Sequence, residues 1–149
     1  MSRLIGQASL VVFLLFAGCA DDDENGGNTE ADKVGVGAAC AVETDCPEYE
    51  PMDGGTTGGP EQLQCLTQFT GGYCGLLGCS NAEDCPTGST CVAHTDGSNY
   101  CFRECVDKSE CNANRPAEAE ANCSANFDYA DPTDSQNGVK ACIPPSSGS

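Results

Sequence analysis

Thirteen cysteines stand in a chain of 149 residues: Cys19 is alone, and the other twelve run from Cys40 to Cys142. Cysteine in such numbers can form disulfides, hold a metal as thiolate, or act as a nucleophile. Zinc sites use close pairs such as C-x2-C, usually with histidine. The nearest pairs here are Cys101-x3-Cys105 and Cys74-x4-Cys79, and His94 is the single histidine. An even dozen in an exported chain reads instead as six disulfides, with no metal.

Other chemistry finds less support. His94 has Ser89, Ser98 and Asp96 nearby in sequence, but nearness in sequence is not triad geometry. There is no G-x-S-x-G elbow and no phosphate-cradling glycine loop with lysine. Carboxylates are plentiful, yet nothing marks a buried cleft to tune them. The reading is a chain with no catalytic residue, not an enzyme, with His94 an exposed hairpin residue. Two acidic stretches raise calcium: Asp21-Asp22-Asp23-Glu24, and the loop Asn126–Asn137 with Phe127, Asp128, Tyr129, Asp131 and Asp134. Neither follows the EF-hand order, and solvated spacers and ordinary exposed loops are far commoner, so no cofactor is expected.

The border at LFAGCADDDENGG, Leu15 to Gly27, explains the solitary cysteine. Arg3, the apolar run Leu10–Phe16 and the small Ala17-Gly18 give the positive, apolar, small order of a secretory signal peptide. The run is too short for the roughly 20 residues of a membrane-spanning helix. Small residues directly before Cys19 resemble the processing site of bacterial lipoproteins. Phe16 stands where that family usually has leucine, and Leu15 is one place further out. The resemblance implies cleavage before Cys19 and acyl chains, palmitate among them, on its sulfur and new amino group. Several chains hold firmly, at about 0.8 kcal/mol per buried CH2. Plain secretion with cleavage after Ala20 is the alternative, and it leaves the cysteine parity even as well.

Next comes an acidic tether. Ala20–Lys33 (ADDDENGGNTEADK) has no apolar periodicity, and its charges repel one another, so it is expected not to pack. Net charge is -17, and removal of residues 1–18, whose only charge is Arg3, makes it -18. Nucleic acid and anionic headgroups repel such a chain.

The body reads as three units of four cysteines. The openings CAVETDCP, CSNAEDCP and CVDKSECN each contain C-x5-C with an acid before the second cysteine: Asp45, Asp84 and Glu110. Proline follows in the first two (Pro47, Pro86) and Asn112 in the third. Three occurrences of one spacing mark an internal repeat. In the second unit Cys91–Ala93 and Asn99–Phe102 read as strands joined across Asp96-Gly97. In the first, Gln64–Leu66 and Gly72–Cys74 read alike, around Gly71. A hairpin with one cysteine on each arm is easily stapled to an upstream loop. The expected pairing is therefore first with third and second with fourth: Cys40–Cys65, Cys46–Cys74, Cys79–Cys91, Cys85–Cys101, Cys105–Cys123 and Cys111–Cys142. Four cysteines allow three connectivities, and pairing across units stays open. Pro51–Pro60 reads as a flexible loop, and Asn122-Cys123-Ser124 as an unused glycosylation acceptor.

The C-x5-C opening, D-C-P and x-G-x-x-C resemble Dickkopf-type and colipase-type small disulfide modules, and still more the cysteine-rich lipoproteins of myxobacteria. That resemblance implies a location and a fold class, not a reaction. The expected organisation is a signal peptide (1–18), lipidated Cys19 with a disordered tether (19–39), units at 40–74, 75–101 and 102–145, and a disordered tail (146–149). The fold class is small and disulfide-rich, with loops, short antiparallel hairpins and helix only in the signal peptide. The expected role is a structural or binding module in the cell envelope, at the outer membrane or cell surface. Its membrane contact is through Cys19, its partner an unidentified protein or glycan, and nucleic acid is excluded. A secreted protease inhibitor and a calcium-binding surface protein are the alternatives.

Overall fold

The computed structural model describes residues 29–49, 61–134 and 139–147. The expected signal peptide, Cys19 and the expected Pro51–Pro60 loop lie outside these. Among the described residues no helix is long and apolar enough to cross a membrane.

The architecture is small, disulfide-rich and loop-rich. In chain order it has α1 (Glu30–Val34), β1 (Glu48–Tyr49), β2 (Glu61–Gln62), β3 (Gln64–Cys65), β4 (Cys74–Gly75), β5 (Ser89–Ala93), β6 (Asn99–Cys105), α2 (Lys108–Cys111), β7 (Asn122–Ser124), β8 (Asp128–Tyr129) and β9 (Lys140–Ile143). Among the described residues helix amounts to two short α-helices and a few 3-10 turns, where none was expected beyond the signal peptide. β1 pairs with β2 and β3 with β4, while five antiparallel strands run in the order β7-β9-β6-β5-β8.

Each unit repeats one construction. A C-x5-C loop is followed by two strands that place its third and fourth cysteines directly opposite: Cys65 faces Cys74, Cys91 faces Cys101, and Cys123 faces Cys142. Turn chemistry sets the hairpins. Gly97, at φ +88°, closes the β5–β6 turn, and the His94 N–H donates to the Ser98 carbonyl. Gly72, at φ +66°, passes so close to the Cys40 carbonyl that any Cβ there would collide with it.

The units do not stand apart. β6 begins in the second unit and runs through Cys105 of the third, so the expected boundary at 101/102 falls inside one strand. Glu104 and Cys105 on β6 pair with Ala141 and Lys140 on β9, which merges the two hairpins into one sheet. The first unit joins through the Tyr73 hydroxyl, which accepts from the Arg103 N–H at 3.0 Å, and through the Phe69–Ser146 bridge. The core is correspondingly shared. Phe69 of the first unit packs edge-on against Tyr100 and Phe102 of β6, with centroids 5.2 and 5.5 Å apart. Eight of the twelve paired cysteines are buried and act as core side chains, six in the cluster of these rings and Cys111 and Cys142 in a smaller one with Ala121.

Two expected disordered segments are corrected. The tether was drawn to residue 39, but residues 29–39 are folded. Thr29 and Asp32 form a capping box on α1, and Ala31 is fully buried. Acids counted as repelling one another have partners: a Glu30 oxygen accepts from the Thr87 N–H at 2.8 Å, and Asp32 pairs with Arg103. The tail was drawn from residue 146. However, Pro145–Ser147 lies antiparallel to Gln68–Thr70, with the Thr70 N–H on the Pro145 carbonyl at 2.8 Å and the Ser147 N–H on the Gln68 carbonyl at 2.7 Å. Backbone hydrogen bonds, not side-chain burial, hold this end.

Candidate functional site

The acids of the repeat turn back on their own loops. Asp45 accepts from the Ala41 and Val42 N–H groups at 2.8 and 3.1 Å, and Asp84 accepts from Ser80 and Asn81 at 2.7 and 3.3 Å. Glu110 accepts from Val106 at 2.7 Å. Each satisfies backbone donors that a one-turn helix leaves open. The residue after the second cysteine also has a local reason. Asn112 accepts from the Ala121 N–H at 2.8 Å and donates to the Ala121 carbonyl at 2.9 Å, bonds that proline could not make.

The Ala41 and Val42 donors hold the Asp45 carboxyl below its ordinary value. Its stabilising contribution is full above the unfolded-state carboxyl value of about 3.9 and is lost as pH falls through the lower folded-state value. Asp45→Asn should therefore flatten the acid limb of a stability-versus-pH curve and speed amide exchange at Ala41 and Val42. Hydrogen exchange at the two amides across an acid series checks this.

The structure joins Cys40 to Cys65, Cys46 to Cys74, Cys79 to Cys91, Cys85 to Cys101, Cys105 to Cys123 and Cys111 to Cys142. In each unit that is first with third and second with fourth. The two bridges of a unit crowd together: the sulfurs of Cys40, Cys46 and Cys65 lie within 4.8 Å of one another, as do corresponding sets in the other units. Every one of these sulfurs is bonded to a second sulfur and offers no thiolate to a metal.

His94 does not sit as expected. Its side chain is only 12% exposed, and the ring packs edge-on against Phe69 with centroids 5.2 Å apart. Nδ1 lies 3.2 Å from an Asp96 oxygen, which also accepts from the Tyr100 hydroxyl at 2.8 Å. The hairpin folds His94 inward because Asp96 ties its turn down. Ser89 stands at the opposite end of β5, five residues away and about 16 Å along an extended strand. Ser98 meets Asp96 through its backbone N–H. No Ser–His–Asp arrangement is assembled from these residues.

The acids of the 126–137 loop also diverge. Asp128 lies in β8 beside Ala93. Asp131 accepts from the Thr133 N–H and hydroxyl, each at 2.8 Å, which holds its carboxyl below the usual range. Asp134 accepts from the Ala82 N–H at 2.7 Å and ties the third unit to the second. Residues 135–138 lie outside the described set.

A cleft of about 190 Å³ opens where five segments meet: the start of α1 at Thr29, Gly88 before β5, the end of β6 at Glu104, α2 at Glu110, and the start of β9 at Val139 and Lys140. Val106, 68% exposed, forms one lip. Glu110 lines the cleft but is committed to the Val106 N–H, and the Lys140 ammonium donates to the Val106 carbonyl at 3.3 Å. Glu104 differs. Among the described residues its carboxylate has no hydrogen-bond or ion-pair partner, and burial pushes its carboxyl above the ordinary value. The cleft thus combines two valine walls, a disulfide and one uncommitted carboxylate.

Sequence reasoning missed this cleft and missed Arg115. The Arg115 guanidinium is buried and donates to the carbonyls of Ala119 (2.7 Å), Gly72 (2.8 Å), Thr70 (2.8 Å) and Gly37 (3.2 Å). It also lies 5.6 Å from the centre of the Tyr73 ring.

Comparison with protein families, curated proteins and solved structures found no match to this chain.

Proposed function

We propose that the chain is an exported lipoprotein, anchored in the bacterial cell envelope through acylated Cys19, whose stapled body is a non-catalytic binding module for a protein or glycan. The carrying observation is that six disulfides in one body go with an apolar run, Leu10–Phe16, that ends in Ala17-Gly18-Cys19. Such bridges fit an oxidising compartment outside the cytoplasm. The body offers a rigid surface, because its hairpins are crosslinked and those of the second and third units share one sheet. The acid-rich stretch Ala20–Asn28 lies between Cys19 and the first described residue, Thr29.

Intact mass of the protein from its native membrane fraction tests this reading, first non-reduced and then reduced and alkylated. The expected result is a mature chain starting at acylated Cys19, with twelve cysteines that alkylate only after reduction. A lipid-free start at Asp21 overturns the anchor, and cysteines that alkylate without reduction overturn the stapled body.

A further inference from the structure

The cleft between β6, β9 and α1 has a chemistry that a scaffold alone does not need. A half-buried carboxylate without a partner is costly, since burial penalises its charge and nothing returns the energy. The other carboxylates that face a neighbour here are committed. Asp45, Asp84, Asp131 and Asp134 accept backbone N–H groups, and Asp32 and Glu120 pair with Arg103 and Lys108. Glu104 sits at the base of an apolar-walled cleft and is not used in this way.

We propose that this cleft takes a lysine side chain presented by a protein partner, its ammonium on Glu104 and its alkyl stem between Val106 and Val139. The inference rests on the binding-module reading and names the partner's chemistry. Size agrees: about 190 Å³ is well below the 300–1,000 Å³ of small-molecule sites, yet suits one long side chain. Shape agrees as well, because lysine lays a straight apolar stem along a surface and keeps a compact charge at its end.

Charge complementarity is the third argument. The chain carries 23 acids against six lysines and arginines. Arg103, Lys108, Arg115 and Lys140 are each engaged within the body, and Lys140 is held at the lip by the Val106 carbonyl. The cleft therefore lies in a negative field that draws cations. The chain's own preceding segment is no complement, since Asp21, Asp22, Asp23 and Glu24 are acids and Ala20–Asn28 contains no base.

The test uses the full-length protein with its disulfides intact and methyl NMR on Val106 and Val139. The probe is Nα-acetyl-lysine methylamide, and the norleucine analogue carries the same stem without the charge. Saturable shifts confined to these methyls are expected with the lysine probe, with binding about tenfold weaker for norleucine and for E104Q, the loss of one charge-assisted contact. V106K, which places an ammonium at the exposed lip without touching the core, should abolish binding and serves if E104Q fails to fold. Equal responses from E104Q and the parent, equal responses to lysine and norleucine, or unsaturable shifts spread over the acidic surface each overturn the proposal. No shift at all in correctly folded protein overturns the cleft assignment and leaves the module reading standing. That reading falls on the mass measurement, which does not involve the cleft.

Discussion

Removing the buried bridge Cys85–Cys101 should cost more stability than removing the rim bridge Cys40–Cys65, although it closes the shorter loop. The two bridges span 16 and 25 residues. Loop-closure entropy alone makes the longer loop worth more, but by only about 0.4 kcal/mol. Burial acts the other way. Cys101 is fully buried in β6 and Cys85 is 8% exposed, whereas Cys40 and Cys65 are only half-buried. Paired alanine substitution at Cys85 and Cys101 leaves a cavity beside the central sheet, which adds about 1–2 kcal/mol to a crosslink loss of about 3 kcal/mol. At roughly 4–8 °C per kcal/mol for a body of this size, the drop in Tm should be about 16–40 °C. C40A/C65A should lose about 3 kcal/mol and little more. Thermal unfolding of both double variants under non-reducing conditions checks the order. A larger loss for C40A/C65A would show that loop closure, and not packing of sulfur, sets the value of these bridges.

The same contrast explains what could be read in advance. The spacing of cysteines is covalent information, so a hairpin with cysteines on both arms brings them opposite each other whatever surrounds it. Cys91–Ala93 and Asn99–Phe102 were legible as strands because Asp96-Gly97 lies between them. The repeat acids were legible as a pattern, though their use as caps needed the geometry of Asp45 on Ala41 and Val42. Contacts between distant segments were not legible. β6 continues past Cys101 to meet β9, and no local feature of Arg103-Glu104-Cys105 marks a partner at Lys140–Ala141. The acidic stretch before Cys40 was averaged into a spacer by its composition, which hid the T-x-x-D capping box at Thr29–Asp32. The cleft draws on five separate segments, and its one distinctive residue, Glu104, differs from the exposed glutamates in being half-buried with no partner among the described residues.

Arg115 is the second place where a single substitution should have a large effect. Its five N–H donors serve four backbone carbonyls, two in the first unit (Thr70 and Gly72), one in the segment before it (Gly37) and one in the third unit (Ala119). Carbonyls accept the charge, and no acid lies within ion-pair distance of it among the described residues. R115M keeps much of the side chain's length while stripping every donor. Each carbonyl left dry costs about 1–3 kcal/mol, and water can reach the half-buried Thr70 contact, so the net loss should be about 4 kcal/mol. R115K should recover only part of it. An ammonium has three donors around one nitrogen and cannot span carbonyls that a planar fork reaches together. The location of the damage is as diagnostic as its size. Hydrogen exchange should quicken first at Ala39, whose N–H reaches the Asn114 carbonyl, at Cys40 on Gly71, and at Thr70 on Pro145. Val92 and Phe102, inside the β5–β6 pairing, should keep their protection. Unchanged stability in R115M, or exchange that quickens equally in the central sheet, would mean that the units are held by the shared aromatic core and the β6–β9 seam, with Arg115 only a lodger between them.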